Sequence, residues 1–70
     1  MVTCAKALSS AYLPIGAVTI PSFMHAAMIE QSRKIGTFGH GNTYSGHPVC
    51  AAVALRTLQI YEERDLLTHV

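Results

Sequence analysis

Thr37-Phe38-Gly39-His40-Gly41-Asn42-Thr43-Tyr44-Ser45-Gly46-His47-Pro48 carries the chain from a segment that cannot be regular structure into one that must be a helix. Residues 37–46 hold three glycines and no aliphatic side chain, so they have nothing to bury and read as a loop. Loops of this length are usually functional or disordered. Pro48 suits a first helical turn, where its missing N–H costs nothing. After it Ala51, Ala54, Leu55, Leu58 and Tyr61 recur on one face, with Arg56, Gln59 and Glu63 opposite. Val49 to Ala54 are small and apolar all round, which predicts burial on several sides, and Asp65 is placed to cap a further helix from Leu66.

Upstream of the loop, Ser22 reads as the N-cap of a helix through Phe23, Ala26, Ala27 and Glu30 to Lys34 and Ile35. Gly36 serves as its stop, and cations sit at the favourable end of the dipole. Met24 and Met28, four apart, read as core filling. Ile15-Gly16-Ala17-Val18-Thr19-Ile20, set between Pro14 and Pro21, is an apolar, β-branched run expected to be a buried strand. Met1 to Cys4 reads as the end of another strand, followed by a turn from Ala5 to Ser10. No repeat or low-complexity tract interrupts this order, and the fold class it implies is α/β.

The bulk properties narrow the partners. The 70 residues are 50% hydrophobic and only 13% charged, about half the usual charged share of a soluble domain. A chain this small buries only ~60% of its unfolded surface, so the imbalance points to a segment of a larger protein or one side of an obligate interface. A net charge of +1 offers no basic stripe for nucleic acid. Residues 7–29 carry no formal charge, but Pro14, Gly16, Pro21 and His25 within them favour a buried core over a membrane span. No signal-like segment opens the chain, and two cysteines, Cys4 and Cys50, are too few for a disulfide framework. The default expectation is a cytoplasmic location.

Lys6 is the only formally charged residue among the first 29. In apolar surroundings a lysine loses its proton more readily, and the neutral amine can attack a carbonyl, as a Schiff-base lysine must. An isolated lysine that snorkels its charge into solvent fits the same residues. The loop before Pro48 has a similar pair of readings. First-turn amides with the hydroxyls of Thr43, Tyr44 and Ser45 would suit a phosphate, and a plain glycine-rich surface loop fits equally. Nucleotide fingerprints fail, since His47-Pro48 replaces the Lys-Ser/Thr of a P-loop and Tyr44 stands where a Rossmann turn needs glycine. His40, His47, Cys50 and Cys4 lack zinc-site spacing, so a structural Cys50 is the better reading of that group. His25 and His69 have no identifiable partner. Glu30 is the only carboxylate before residue 62, which leaves no pair of acids for acid/base work.

Taken together, Ala5-Lys6-Ala7-Leu8-Ser9-Ser10-Ala11-Tyr12-Leu13-Pro14-Ile15-Gly16-Ala17-Val18 and His40-Gly41-Asn42-Thr43-Tyr44-Ser45-Gly46-His47-Pro48 resemble the class III aminotransferases, nearest to their omega-amino acid or amine:pyruvate branch. The resemblance covers essentially the whole chain in the correct order. It implies the fold of the large cofactor-binding domain of the fold-type I transferases that depend on pyridoxal 5'-phosphate. It also implies an amino donor and a keto acid acceptor as substrates, and a homodimer. Lys6 would be the Schiff-base lysine, and Thr43 would bind the cofactor phosphate held by the neighbouring subunit. Ala7 stands where relatives commonly have glycine, and Asn42 replaces a frequent aromatic residue.

The family's chain is several times longer. Residues 1–70 are therefore expected to be an internal part of the large domain, inactive alone, and Met1 need not be a true start. The other readings are a non-catalytic remnant that keeps a dimer-facing loop and a small metal-binding module on His40, His47, Cys50 and Cys4.

Overall fold

A computed structural model describes residues 1–70. Strand β1 (Val2–Cys4) pairs antiparallel with β2 (Ala17–Thr19), placing Val2 opposite Thr19, Thr3 opposite Val18 and Cys4 opposite Ala17. Between the strands lies a 3-10 turn, Lys6–Ser9. Helix α1 spans Ser22–Ile35, α2 spans Pro48–Glu63 and α3 spans Leu66–His69. The chain is thus a mixture of helix and strand, with one two-stranded antiparallel sheet and no parallel pair.

The order of elements follows the sequence expectations, but burial does not. Only Ser9, Ala54 and Thr57 are buried. The run Ile15 to Ile20 yields a strand of three residues rather than six, exposed on both faces, with Val18 at 60% exposure. β-Branched residues favoured the strand, but two strands alone have no layer to pack against.

Helix α1 begins at Ser22, so Pro21 takes the cap position. Its carbonyl accepts from the Met24 and His25 N–H groups, and no side-chain cap forms. The helix ends as expected at Gly36, whose φ of 83° is the left-handed conformation that glycine adopts without penalty. Met24 and Met28 are half-buried rather than core, and α1 has no buried residue. Asp65 does precede α3, but in a left-handed conformation and without a side-chain cap; its carbonyl accepts from Thr68 and His69.

The chief tertiary contact is α2 against the 3-10 turn. Its inward side is Cys50, Val53, Ala54, Thr57, Ile60 and Tyr61; of the expected stripe Ala54 and Tyr61 turn inward, whereas Ala51 is exposed and Leu55 and Leu58 are 59% and 43% exposed. On the turn's side Ser9 is buried and Leu8 half-buried. Small residues of α2 approach the turn closely, and Leu55 and Leu58 are left outside. No helix is long and apolar enough to cross a membrane.

Candidate functional site

Lys6 opens the 3-10 turn immediately after β1. Ala5 is fully extended at φ −161°, and the chain then reverses at Lys6, whose φ of 53° is left-handed. For a residue with a Cβ that conformation costs about 1–2 kcal/mol. Ser10 and Ala11, at 51° and 60°, share it. Ala7, the position marked by its departure from glycine, is not among the strained residues.

Backbone hydrogen bonds brace the segment. Leu8 donates to the Ala5 carbonyl at 3.1 Å, Ser10 to Ala7 at 3.0 Å, Ala11 to Lys6 at 3.2 Å and Tyr12 to Ser9 at 3.1 Å. The Ser9 side chain, 1% exposed, donates its hydroxyl to the Leu13 carbonyl at 2.6 Å. Burial of that hydroxyl is tolerated because its hydrogen bond is made.

The Lys6 side chain is exposed within these residues, so of the two readings of an isolated lysine it is the solvent-reaching one that describes it here. It lines an open pocket of about 500 Å³ with Ala5, Ala11, Tyr12, Leu13, Pro14 and Ile15, and a second of about 360 Å³ with Thr3, Cys4 and Ala5. The walls of the larger pocket are largely apolar, as the sequence indicated, and those of the smaller are mixed. What the 70 residues lack is a further layer to exclude water.

Residues 42–47 form a pair of linked turns. Ser45 N–H donates to the Asn42 carbonyl at 3.0 Å, Asn42 N–H donates to Ser45 Oγ at 3.3 Å, and His47 N–H donates to the Tyr44 carbonyl at 3.2 Å. Gly46, at φ 70°, makes the reversal that feeds α2. Thr43 is exposed at the tip. At the start of α2, Pro48 has no N–H, Ala51 donates to the His47 carbonyl, and the amides of Val49 and Cys50 find no backbone acceptor.

Beside them is a pocket of about 390 Å³ whose lining includes Pro14, Asn42, Tyr44, Ser45, His47 and Cys50. The His47 Nδ1 is buried there without a partner. Pro14, Ile15 and Gly16 thus run between the loop pocket and the Lys6 pocket, yet no described pocket contains both Lys6 and Thr43. His40 stacks edge-on to Phe38 at 5.9 Å, Cys4 and Cys50 are free thiols, and no group of three potential metal ligands converges.

Two residues absent from the sequence-derived site join the Lys6 turn to α2. Tyr61 donates its hydroxyl to the Ala7 carbonyl at 2.7 Å, and Ser10 Oγ lies 3.2 Å from the same phenolic oxygen. Tyr61 had been readable only as part of an apolar face. A contact across 54 positions leaves no local signal.

All of residues 1–70 match the family described as aminotransferase class-III. The chain belongs to this family. It is 56% identical over its full length to gamma aminobutyrate transaminase 3, chloroplastic, of Solanum lycopersicum. It is 54% identical to gamma aminobutyrate transaminase 1, mitochondrial, of the same species, and 53% identical to a probable gamma-aminobutyrate transaminase 3, mitochondrial, of Oryza sativa subsp. indica. The class-III chain spans 14% of the length of each of these relatives. No solved structure matches it.

The names of these relatives overturn the cytoplasmic expectation, since they place the proteins in chloroplasts or mitochondria. The expectation rested on two cysteines and on the absence of a signal-like opening stretch in these residues. Neither feature carries an address, which is read from separate targeting segments.

Proposed function

We propose that the chain is part of the large cofactor-binding domain of a fold-type I, pyridoxal 5'-phosphate-dependent aminotransferase that moves an amino group from an omega-amino acid or amine to a keto acid such as pyruvate. The likeness to proteins named gamma-aminobutyrate transaminases supports an omega-amino acid donor. The observation that carries the reading is the placement of Lys6. In a chain matching class-III aminotransferases from end to end, this lysine stands on a braced, left-handed turn at the edge of a largely apolar pocket.

In this reading Lys6 is the Schiff-base lysine, and the partner subunit's Thr43 contributes to the phosphate site of a homodimer. The residues present suit the cofactor on chemical grounds. Lys6 supplies a primary amine with no ion-pair partner, and the loop supplies the Thr43 hydroxyl beside the uncapped amides of Val49 and Cys50. Donors of this kind at a helix N-terminus favour a phosphate dianion. When bound, the cofactor would supply an electron sink for the C–H bond broken at the donor carbon that bears the amino group. The Lys6 amine would take the proton from that carbon and deliver it to the aldehyde-derived carbon of the cofactor, the net shift that amino transfer requires. Its neutral form needs a dry site, so the water-excluding layer over the apolar pocket comes from chain outside these residues.

Borohydride reduction of the longer protein that carries this segment, followed by peptide mapping, tests the assignment. The cofactor-derived mass is expected on the Lys6 peptide. Lys6→Ala is expected to abolish that adduct and lower kcat by at least about 10²-fold, in line with loss of a positioned general base. A stable adduct on a different lysine in the unsubstituted protein overturns the reading.

A further inference from the structure

We infer that Tyr61 is a positioning residue for Lys6, acting through the backbone of the lysine turn; the inference rests on Lys6 being the Schiff-base lysine. The phenol of Tyr61 has one proton, and the Ala7 carbonyl 2.7 Å away can only accept it. Ser10 Oγ, 3.2 Å from the same oxygen, must then donate. The result is a directed chain from the Ser10 hydroxyl to the Tyr61 hydroxyl to the Ala7 carbonyl, in which each bond polarises the next.

The position of this chain gives it leverage. The Ala7 carbonyl also accepts from the Ser10 N–H at 3.0 Å, so a single oxygen takes both the internal bond of the turn and the bond from α2. Ala7 is bonded directly to Lys6, whose backbone sits at φ 53°. A left-handed residue with a Cβ relaxes toward negative φ unless its surroundings hold it. Such a relaxation would swing the Cα–Cβ bond of Lys6 and carry its amine away. On the opposite side of the turn, Ser9 is pinned by its own hydroxyl to Leu13. Tyr61 is the side chain of α2 that hydrogen-bonds to the turn, and it does so 54 residues further along the chain. Its ring is half-buried, but its hydroxyl is the part that reaches the lysine segment.

The test uses the longer, cofactor-loaded protein. Tyr61→Phe removes one oxygen and leaves the ring. We expect the cofactor to remain bound and the substrate KM to stay within about twofold, while kcat falls about tenfold, as for loss of one hydrogen bond that holds a reacting group in place. We also expect the pH titration of the cofactor's visible absorption band, which reports the bond to Lys6, to shift its midpoint. A protein with 3,5-difluorotyrosine at position 61 keeps ring and hydroxyl, but its phenol ionises at lower pH and then cannot donate to Ala7. It should show an added step in the absorption titration at that ionisation. This variant also decides the matter if Tyr61→Phe does not fold. Unchanged kcat and superimposable titrations in the folded variants overturn the role of Tyr61. Borohydride trapping at a lysine other than Lys6 in the unsubstituted protein instead overturns the reading beneath it, so the two failures are separable.

Discussion

Arg56 and Glu63 lie seven residues apart on α2, two turns of helix. Arg56 Nη1 donates to Glu63 Oε1 at 2.7 Å and Nη2 to Oε2 at 3.2 Å, a two-pronged pair. That hydrogen bonding, more than simple attraction, holds the Glu63 carboxyl below its ordinary range and raises Arg56. A depressed carboxylate stabilises the folded helix above its unfolded pKa of about 4.3, and that support is lost as pH falls through the lower folded value. Both side chains are exposed, so the pair adds little to stability. Following the Glu63 carboxyl carbon by NMR should give a midpoint below the usual carboxylate range, rising toward it in Arg56→Gln and in high salt. Identical midpoints in the two proteins would show that the pair does not persist in solution. At the same scale Lys6 was identifiable from its isolation and its motif, whereas its left-handed backbone was not. A φ angle depends on where the chain goes next, and nothing in Ala5-Lys6-Ala7 prescribes it.

At the scale of elements, α2 shows how a correct helix can be given a face that is only partly right. Pro48, the apolar spacing and the charged opposite side predicted the helix and its start. Its rotation was ambiguous because Val49 to Ala54 are apolar in every direction. The partner surface settled it, with Ala54 at 6% exposure and Thr57 at 7% toward the 3-10 turn, where Thr57 also satisfies its hydroxyl on the Val53 carbonyl at 2.9 Å. Ala54→Leu forces extra volume into that contact and is expected to destabilise the parent protein by about 1–3 kcal/mol, whereas a larger residue at exposed Leu55 should cost far less. Thermal melts of Ala54→Leu and Leu55→Phe provide the check, and equal melting temperatures would mean that α2 does not pack on the turn as described. The same distinction applies to α1. Its start near Pro21 and its stop at Gly36 were readable, while the destination of its apolar side chains was not, since Phe23 and Ile35 remain 73% and 70% exposed.

The whole molecule has far more surface than a chain of its size should. Its accessible area is 6057 Å², against about 4,200 Å² for a compact monomer of this mass. Its radius of gyration is 15.6 Å, against about 11 Å for a compact chain of this length. Only one hydrophobic residue, Ala54, is buried. With so little apolar area removed from water, the entropy cost of ordering 70 residues has no adequate compensation. Residues 1–70 in isolation should therefore unfold gradually rather than cooperatively on heating, and bind an apolar dye before heating begins. Circular dichroism and dye fluorescence on the isolated segment provide the readouts; a sharp, two-state melt without dye binding would contradict this expectation. The low charge and high apolar content had already indicated an unfinished surface, because composition counts the residues that need covering even when their arrangement is unknown.

By itself the sequence determined the order and type of the elements, the class-III motifs around Lys6 and Thr43, and the shortage of charged surface. Each of these depends on neighbours in the chain or on totals, for which local sterics and residue counts suffice. Only the tertiary structure decided which face of α2 turns inward, how exposed Lys6 is within these residues, and that Tyr61 reaches the Ala7 carbonyl. These depend on pairings between distant segments, where close packing selects among arrangements that the local sequence leaves equally favourable.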